Sequence, residues 1–79
     1  MFGFDRITAD PQILGGKACI RGMRISAALL VNLVANGMSL AEIINEYPDL
    51  EEEDIRQALR YAAWTAEDTI HIPMQAVLS

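Results

Sequence analysis

Cysteine and histidine are nearly missing from this chain: its 79 residues include Cys19 and His71 and no other residue of either kind. One thiol cannot close a disulfide within the chain, and secreted domains this small ordinarily need several, so a reducing, cytoplasmic setting is expected. The same scarcity excludes metal sites built on Cys/His spacing and a nucleophile with an oriented base. Cys19 falls in a predicted strand and is expected to pack as a small hydrophobe, and His71, between two isoleucines, reads as structural or incidental. No catalytic residue, no metal and no cofactor is expected, and the chain is read as non-enzymatic. Gly15-Gly16-Lys17 is no phosphate loop, because no following Ser/Thr and no strand-to-helix context accompany it. Long apolar runs are also lacking. None approaches the roughly 20 residues of a membrane span, and Asp5 and Arg6 stand where a secretory leader would be basic and then apolar. Cations are few as well: six Lys and Arg against eleven Asp and Glu give a net charge of −5, which weakens any general attraction to nucleic acid.

What is abundant is apolar surface. Hydrophobic residues make up 52% of the chain and charged ones 22%, far from the balance of disordered sequences, so a folded state is expected. The length allows one domain with a modest core, and the apolar surplus points to an interface, expected as a homodimer or a complex with a partner. Charge is unevenly spread. Residues 1–24 hold Arg6, Lys17, Arg21 and Arg24 against Asp5 and Asp10, whereas the rest of the chain holds Arg56 and Arg60 against nine acids.

The segment 1–25 is punctuated by Pro11, Gly15, Gly16 and Gly22 and reads as short strands with tight turns. Ala18-Cys19-Ile20 and Met23-Arg24-Ile25 are predicted to pair as a hairpin across Arg21-Gly22. Ser26 is expected to cap a helix over 27–35 that is apolar nearly all round and stops at Asn36-Gly37. Ser39 and Glu42 form a capping box opening a second helix, whose stripe Leu40, Ile43, Ile44 and Tyr47 ends at Pro48. A third helix starts at the acids 51–54, which suit the positive end of its dipole and are expected to be solvated. At 100° per residue its core face should carry Ile55, Leu59, Ala62 and Ala66, with Gln57, Arg60 and Trp64 opposite and Tyr61 beside them.

Two binding readings follow from that arrangement. In the first, the helix pair 40–47 and 51–66 acts as a helix-turn-helix, with Gln57 and Arg60 able to read base edges, and Lys17, Arg21 and Arg24 form a cationic patch near the hairpin turn. Against it, the third helix would present four acids to phosphate. In the second, Tyr61 and Trp64, together with the apolar tail residues Ile70, Ile72, Met74, Val77 and Leu78, form a surface for another protein.

The run Gly15-Gly16-Lys17-Ala18-Cys19-Ile20-Arg21-Gly22-Met23-Arg24-Ile25-Ser26, followed by Gly37-Met38-Ser39, Tyr47-Pro48 and Glu53-Asp54-Ile55, resembles the domain of unknown function 433 family over about residues 5–70. The chain departs from that pattern at Ala18, where proline is usual, at Met23, where threonine is usual, and at Glu51, which leaves Asp49 as a substitute helix cap. The resemblance implies a mainly α fold, a homeodomain-like three-helix bundle containing a helix-turn-helix-like pair, with an N-terminal β-hairpin. A single domain is expected, divided into a hairpin arm (1–25), the bundle (26–68) and an apolar tail (69–79). The resemblance further implies an antitoxin-type protein that binds and neutralises a PIN-like ribonuclease toxin. The alternative is a DNA-binding transcriptional autoregulator whose partner is operator DNA.

Overall fold

The N-terminal arm and the third helix, far apart in sequence, are brought together to close the core. In the computed structural model, which describes residues 3–69, strand β1 (Ile7–Ala9) pairs antiparallel with β2 (Ala18–Ile20), and helices α1 (Ala27–Ala35), α2 (Leu40–Glu46) and α3 (Glu52–Thr69) follow. The register sets Ile7 opposite Ile20, and both are fully buried, so the ladder delivers an apolar pair onto the helices. They meet Ala27 and Leu30 of α1, Ile43 of α2, Leu50 of the α2–α3 connection, and Ile55 and Ala58 of α3 in one core. The protein is thus a small three-helix bundle with an N-terminal two-stranded antiparallel hairpin. Among the described residues no helix is long and apolar enough to cross a membrane.

The hairpin differs from its sequence reading in one respect. The strand 18–20 finds its ladder partner upstream, in residues 7–9, and meets the downstream segment through a single bridge between Cys19 and Ser26. Arg21 and Gly22 nevertheless both adopt positive φ, 44° and 74°, and the Met23 N–H donates to the Ile20 carbonyl at 2.8 Å, as a tight reversal requires. Ser26 then heads into α1 rather than extending a strand, because its hydroxyl accepts the Leu29 N–H at 3.0 Å and caps the helix. Two strands of three residues bury little by themselves and are held by what they pack against.

The helix ends follow local chemistry. α1 stops at Asn36, and Gly37 at φ 95° supplies the left-handed exit. Ser39 and Glu42 exchange both bonds of the capping box, the Glu42 N–H donating to the Ser39 hydroxyl at 3.1 Å and the Ser39 N–H to the Glu42 carboxylate at 2.9 Å. The bond from the Ser39 N–H, followed by the Ser39 hydroxyl, holds the Glu42 carboxyl below its ordinary pKa. At the start of α3, the carboxylate of Asp54 accepts the Glu51 N–H at 2.8 Å, so Asp54 does the work expected of Asp49. The Asp49 carbonyl instead accepts Arg21 at 2.7 Å.

Candidate protein-interaction surface

The electrostatic organisation starts from one buried carboxylate. Asp54, in the first turn of α3, is fully buried, contrary to the expectation that all four acids of 51–54 are solvated. It accepts Arg6 at 3.0 Å, Arg21 twice at 3.0 and 2.8 Å, and the Glu51 N–H. Burial by itself would raise its pKa. The bonds from Arg21, from the Glu51 backbone and from Arg6 more than offset burial, and the carboxyl is held below its ordinary value. Arg6 is raised above the usual arginine range by Glu51 and Asp54, and Arg21 is raised by Asp54. The left-handed φ of Arg21, costly for a side chain with a Cβ, turns its guanidinium onto Asp54, 33 residues away. One acid thereby ties the N-terminal arm and the β2 turn to α3.

Gln57 completes this clamp and corrects its sequence reading. Expected on the outer face as a base reader, it is 8% exposed: its Oε1 accepts the Arg6 N–H at 3.0 Å and its Nε2 donates to Asp5, a bond that lowers the Asp5 pKa. The buried stripe of α3 therefore runs through Asp54, Ile55, Gln57 and Ala58, while Ala63 and Ala66 face solvent. Periodicity put the stripe about a quarter of a turn away because it counted alanines as core and polar residues as surface. The missed residues are Asp5, Arg6 and Asp54; the spacing Glu51-x-x-Asp54, with an acid at the third helical position, is the signal in the sequence that points to Asp54.

The other cations divide into two groups. Arg56 pairs with Glu52 at 3.3 Å and Arg60 with Glu53 at 2.6 Å, both along α3, so its outward cations are matched by its own acids. Arg21, expected in a basic patch, is spent on Asp54. Lys17 and Arg24 are exposed and form no salt bridge among the described residues. Gly15 and Gly16 sit in a single 3-10 turn, Leu14–Gly16, between the strands and lead into β2 rather than a helix. No group of three or more His, Cys, Asp or Glu side chains among the described residues is arranged to hold a metal ion.

Tyr61 and Trp64, the expected interface aromatics, are half-buried in a cluster with Phe4. The Phe4 and Tyr61 rings meet edge to face at 5.6 Å, Phe4 and Trp64 at 6.0 Å, and Tyr61 and Trp64 at 5.9 Å. Such pairs contribute about 0.5–1.5 kcal/mol each beyond their burial, so this cluster is a second fastening for the arm. Ile70, Ile72, Met74, Val77 and Leu78 lie outside the described residues. Leu14, at φ 49° and 38% exposed, is the outstanding large apolar residue on the surface. Tyr61 also borders a groove of about 440 Å³ between α1 and α3, with Ala18, Ala28, Val31 and Ala62 in its walls beside the polar Lys17, Ser26 and Asn32.

Fold and site together define a class: a small helical domain with a hairpin arm, whose conspicuous polar chemistry is spent on fastening the arm and whose remaining exposed charge is mostly acidic. The chain belongs to the DUF433 family, described as a protein of unknown function, whose model matches residues 7–62. It is 38% identical over 56 residues to the uncharacterized protein y4eO of Sinorhizobium fredii, a match spanning 71% of this chain and 25% of that protein. The crystal structure of a DUF433 member from Anabaena variabilis superposes with a TM-score of 0.74 at 33% identity, over 81% of this chain and 63% of that one. The chain thus spans a quarter of the first relative and less than two thirds of the second.

Proposed function

We propose that this domain is a non-enzymatic binding module of the antitoxin type, which neutralises a PIN-like ribonuclease by forming a complex with it. The observation that carries this reading is the disposal of positive charge. Of six Lys and Arg side chains, four are paired with carboxylates: Arg6, Arg21, Arg56 and Arg60. Glu46, Asp49 and Glu67 are exposed and make no salt bridge among the described residues, so the outward charge of the helices is acidic. Such a surface suits a protein that itself carries cations for RNA, and complementary fields speed the encounter of the two. The alternative, a DNA-binding autoregulator, draws on fewer groups: of Lys17, Arg21, Arg24, Gln57 and Arg60, only Lys17 and Arg24 are exposed and outside any ion pair among the described residues.

The test is a titration of the purified domain into a PIN-like ribonuclease from the same host, following RNA cleavage. Inhibition should be complete near equimolar ratio, and Glu46→Lys, Asp49→Lys and Glu67→Lys together should slow association about tenfold at low salt. Undiminished cleavage at excess domain overturns the proposal.

A further inference from the structure

We propose that the groove between α1 and α3 receives Leu14 from a second copy of this chain, so that two copies pack about a two-fold axis with each β1–β2 connection seated on the other. The groove has a volume of about 440 Å³, and the alanines 18, 28 and 62 in its walls leave room for a branched aliphatic side chain. Covering an apolar trough of this kind stabilises a contact in proportion to the area removed from water. Charge selects the occupant. None of the described residues lining the groove is acidic, and α1 carries no charged residue from Ala27 to Ala35. A chain of net charge −5 therefore meets itself on this side without setting acid against acid.

The knob stands beside its hole. Leu14, Gly15 and Gly16 take left-handed φ in succession, 49°, 67° and 88°, a conformation that glycine adopts freely and leucine does not. The strain presents Leu14 at the surface, 38% exposed and outside the core cluster, so nothing within the single chain offsets it. The Leu14 carbonyl accepts the Lys17 N–H at 3.4 Å, and Lys17 lines the groove, so knob and groove share one edge. A two-fold contact needs that adjacency, because one patch must serve both copies. The connection also carries complementary charge. The Ile13 N–H donates to the Asp10 carbonyl at 2.9 Å and the Gly16 N–H to the Ile13 carbonyl at 3.0 Å, which folds Asp10 back beside Leu14. Asp10 and Lys17 are both exposed, and neither forms a salt bridge among the described residues. Setting Leu14 into the other copy's groove brings each Asp10 toward the other copy's Lys17 and closes two ion pairs. The proposal is independent of the ribonuclease reading, which rests on Glu46, Asp49 and Glu67.

The experiment is sedimentation equilibrium of the full chain alone over a dilution series, with no other protein present. The mass should rise with concentration from 8.7 kDa to twice that value. Leu14→Asn keeps a residue that tolerates left-handed φ and removes one buried leucine from each side, so the dissociation constant should rise about 100-fold. Leu14 lies at the surface of a single copy, so helical circular dichroism is unchanged and the fold is unaffected where the copies are apart. Asp10→Lys and Lys17→Asp should each weaken the pair of copies, and the two substitutions in one chain should restore it. A mass of 8.7 kDa at every concentration overturns the proposal, and so does self-association that Leu14→Asn leaves unchanged. A charge-swapped chain that associates no better than either single variant overturns the pairing of Asp10 with Lys17.

Discussion

Replacing Asp54 by asparagine preserves shape and removes one charge from the centre of the clamp. The carboxylate accepts four bonds, three from arginine and one from the Glu51 N–H. Asparagine keeps one acceptor oxygen and turns an NH2 toward guanidinium donors, leaving Arg21 without its carboxylate and Arg6 with Glu51 alone. Removing one member of a buried pair costs roughly 3–5 kcal/mol. Here the Arg6 and Arg21 side chains are 27% and 39% exposed and regain water, so about 2–3 kcal/mol is the expected loss. For a domain this small that is a large share of a total near 4–12 kcal/mol, and it should lower the Tm by roughly 10–20 °C. The pH dependence gives the sharper check. Because the folded-state pKa of Asp54 is depressed, its contribution is fully present above the ordinary value of 3.8 and is lost as the pH falls below that toward the folded-state value. Thermal unfolding by circular dichroism should show wild type and Asp54→Asn well separated at neutral pH and converging under acid conditions. A difference below about 0.5 kcal/mol at neutral pH, or an equal gap at both, would refute the argument, since a surface pair contributes that little.

Other perturbations probe the remaining fastenings. Gln57→Ala strands the Arg6 N–H and frees Asp5, and should cost about 1–3 kcal/mol with faster hydrogen exchange in β1; unchanged exchange at residues 6–9 would contradict its role. Leu14→Gly relieves a left-handed φ at a partly exposed site and should be neutral or stabilising by up to ~1 kcal/mol in urea unfolding, whereas a clear loss would mean that Leu14 packs usefully. Ser39→Ala removes half of the capping box and should cost about 1 kcal/mol, measured the same way.

The parts of this fold that were legible in the sequence are those decided within one turn of chain. Ser26, the Ser39/Glu42 box, Gly37 and Pro48 bound α1 and α2 almost to the residue, because caps act over three or four positions. The hairpin was half legible: Arg21-Gly22 makes its reversal, but the pairing of Ile7–Ala9 with Ala18–Ile20 spans a connection whose length says nothing about register. The polar clamp was hidden for a plainer reason. Asp54 and Gln57 look like surface residues until Arg6 and Asp5, 48 and 52 positions away, are folded against them. A helical wheel ranks side chains by polarity and has no knowledge of such partners. The same blindness left open whether the arm, the tail or another protein covers Trp64, when Phe4 of the arm lies against it.

The central claim, that the domain acts through a protein and not through DNA, is most directly tested by affinity capture of the tagged chain from its native host at moderate salt, with and without nuclease treatment. The account predicts a stoichiometric PIN-like ribonuclease retained in both preparations, and lost when Glu46, Asp49 and Glu67 are reversed in charge. A specific DNA fragment recovered without any such protein, and abolished by Lys17→Ala with Arg24→Ala, would contradict it.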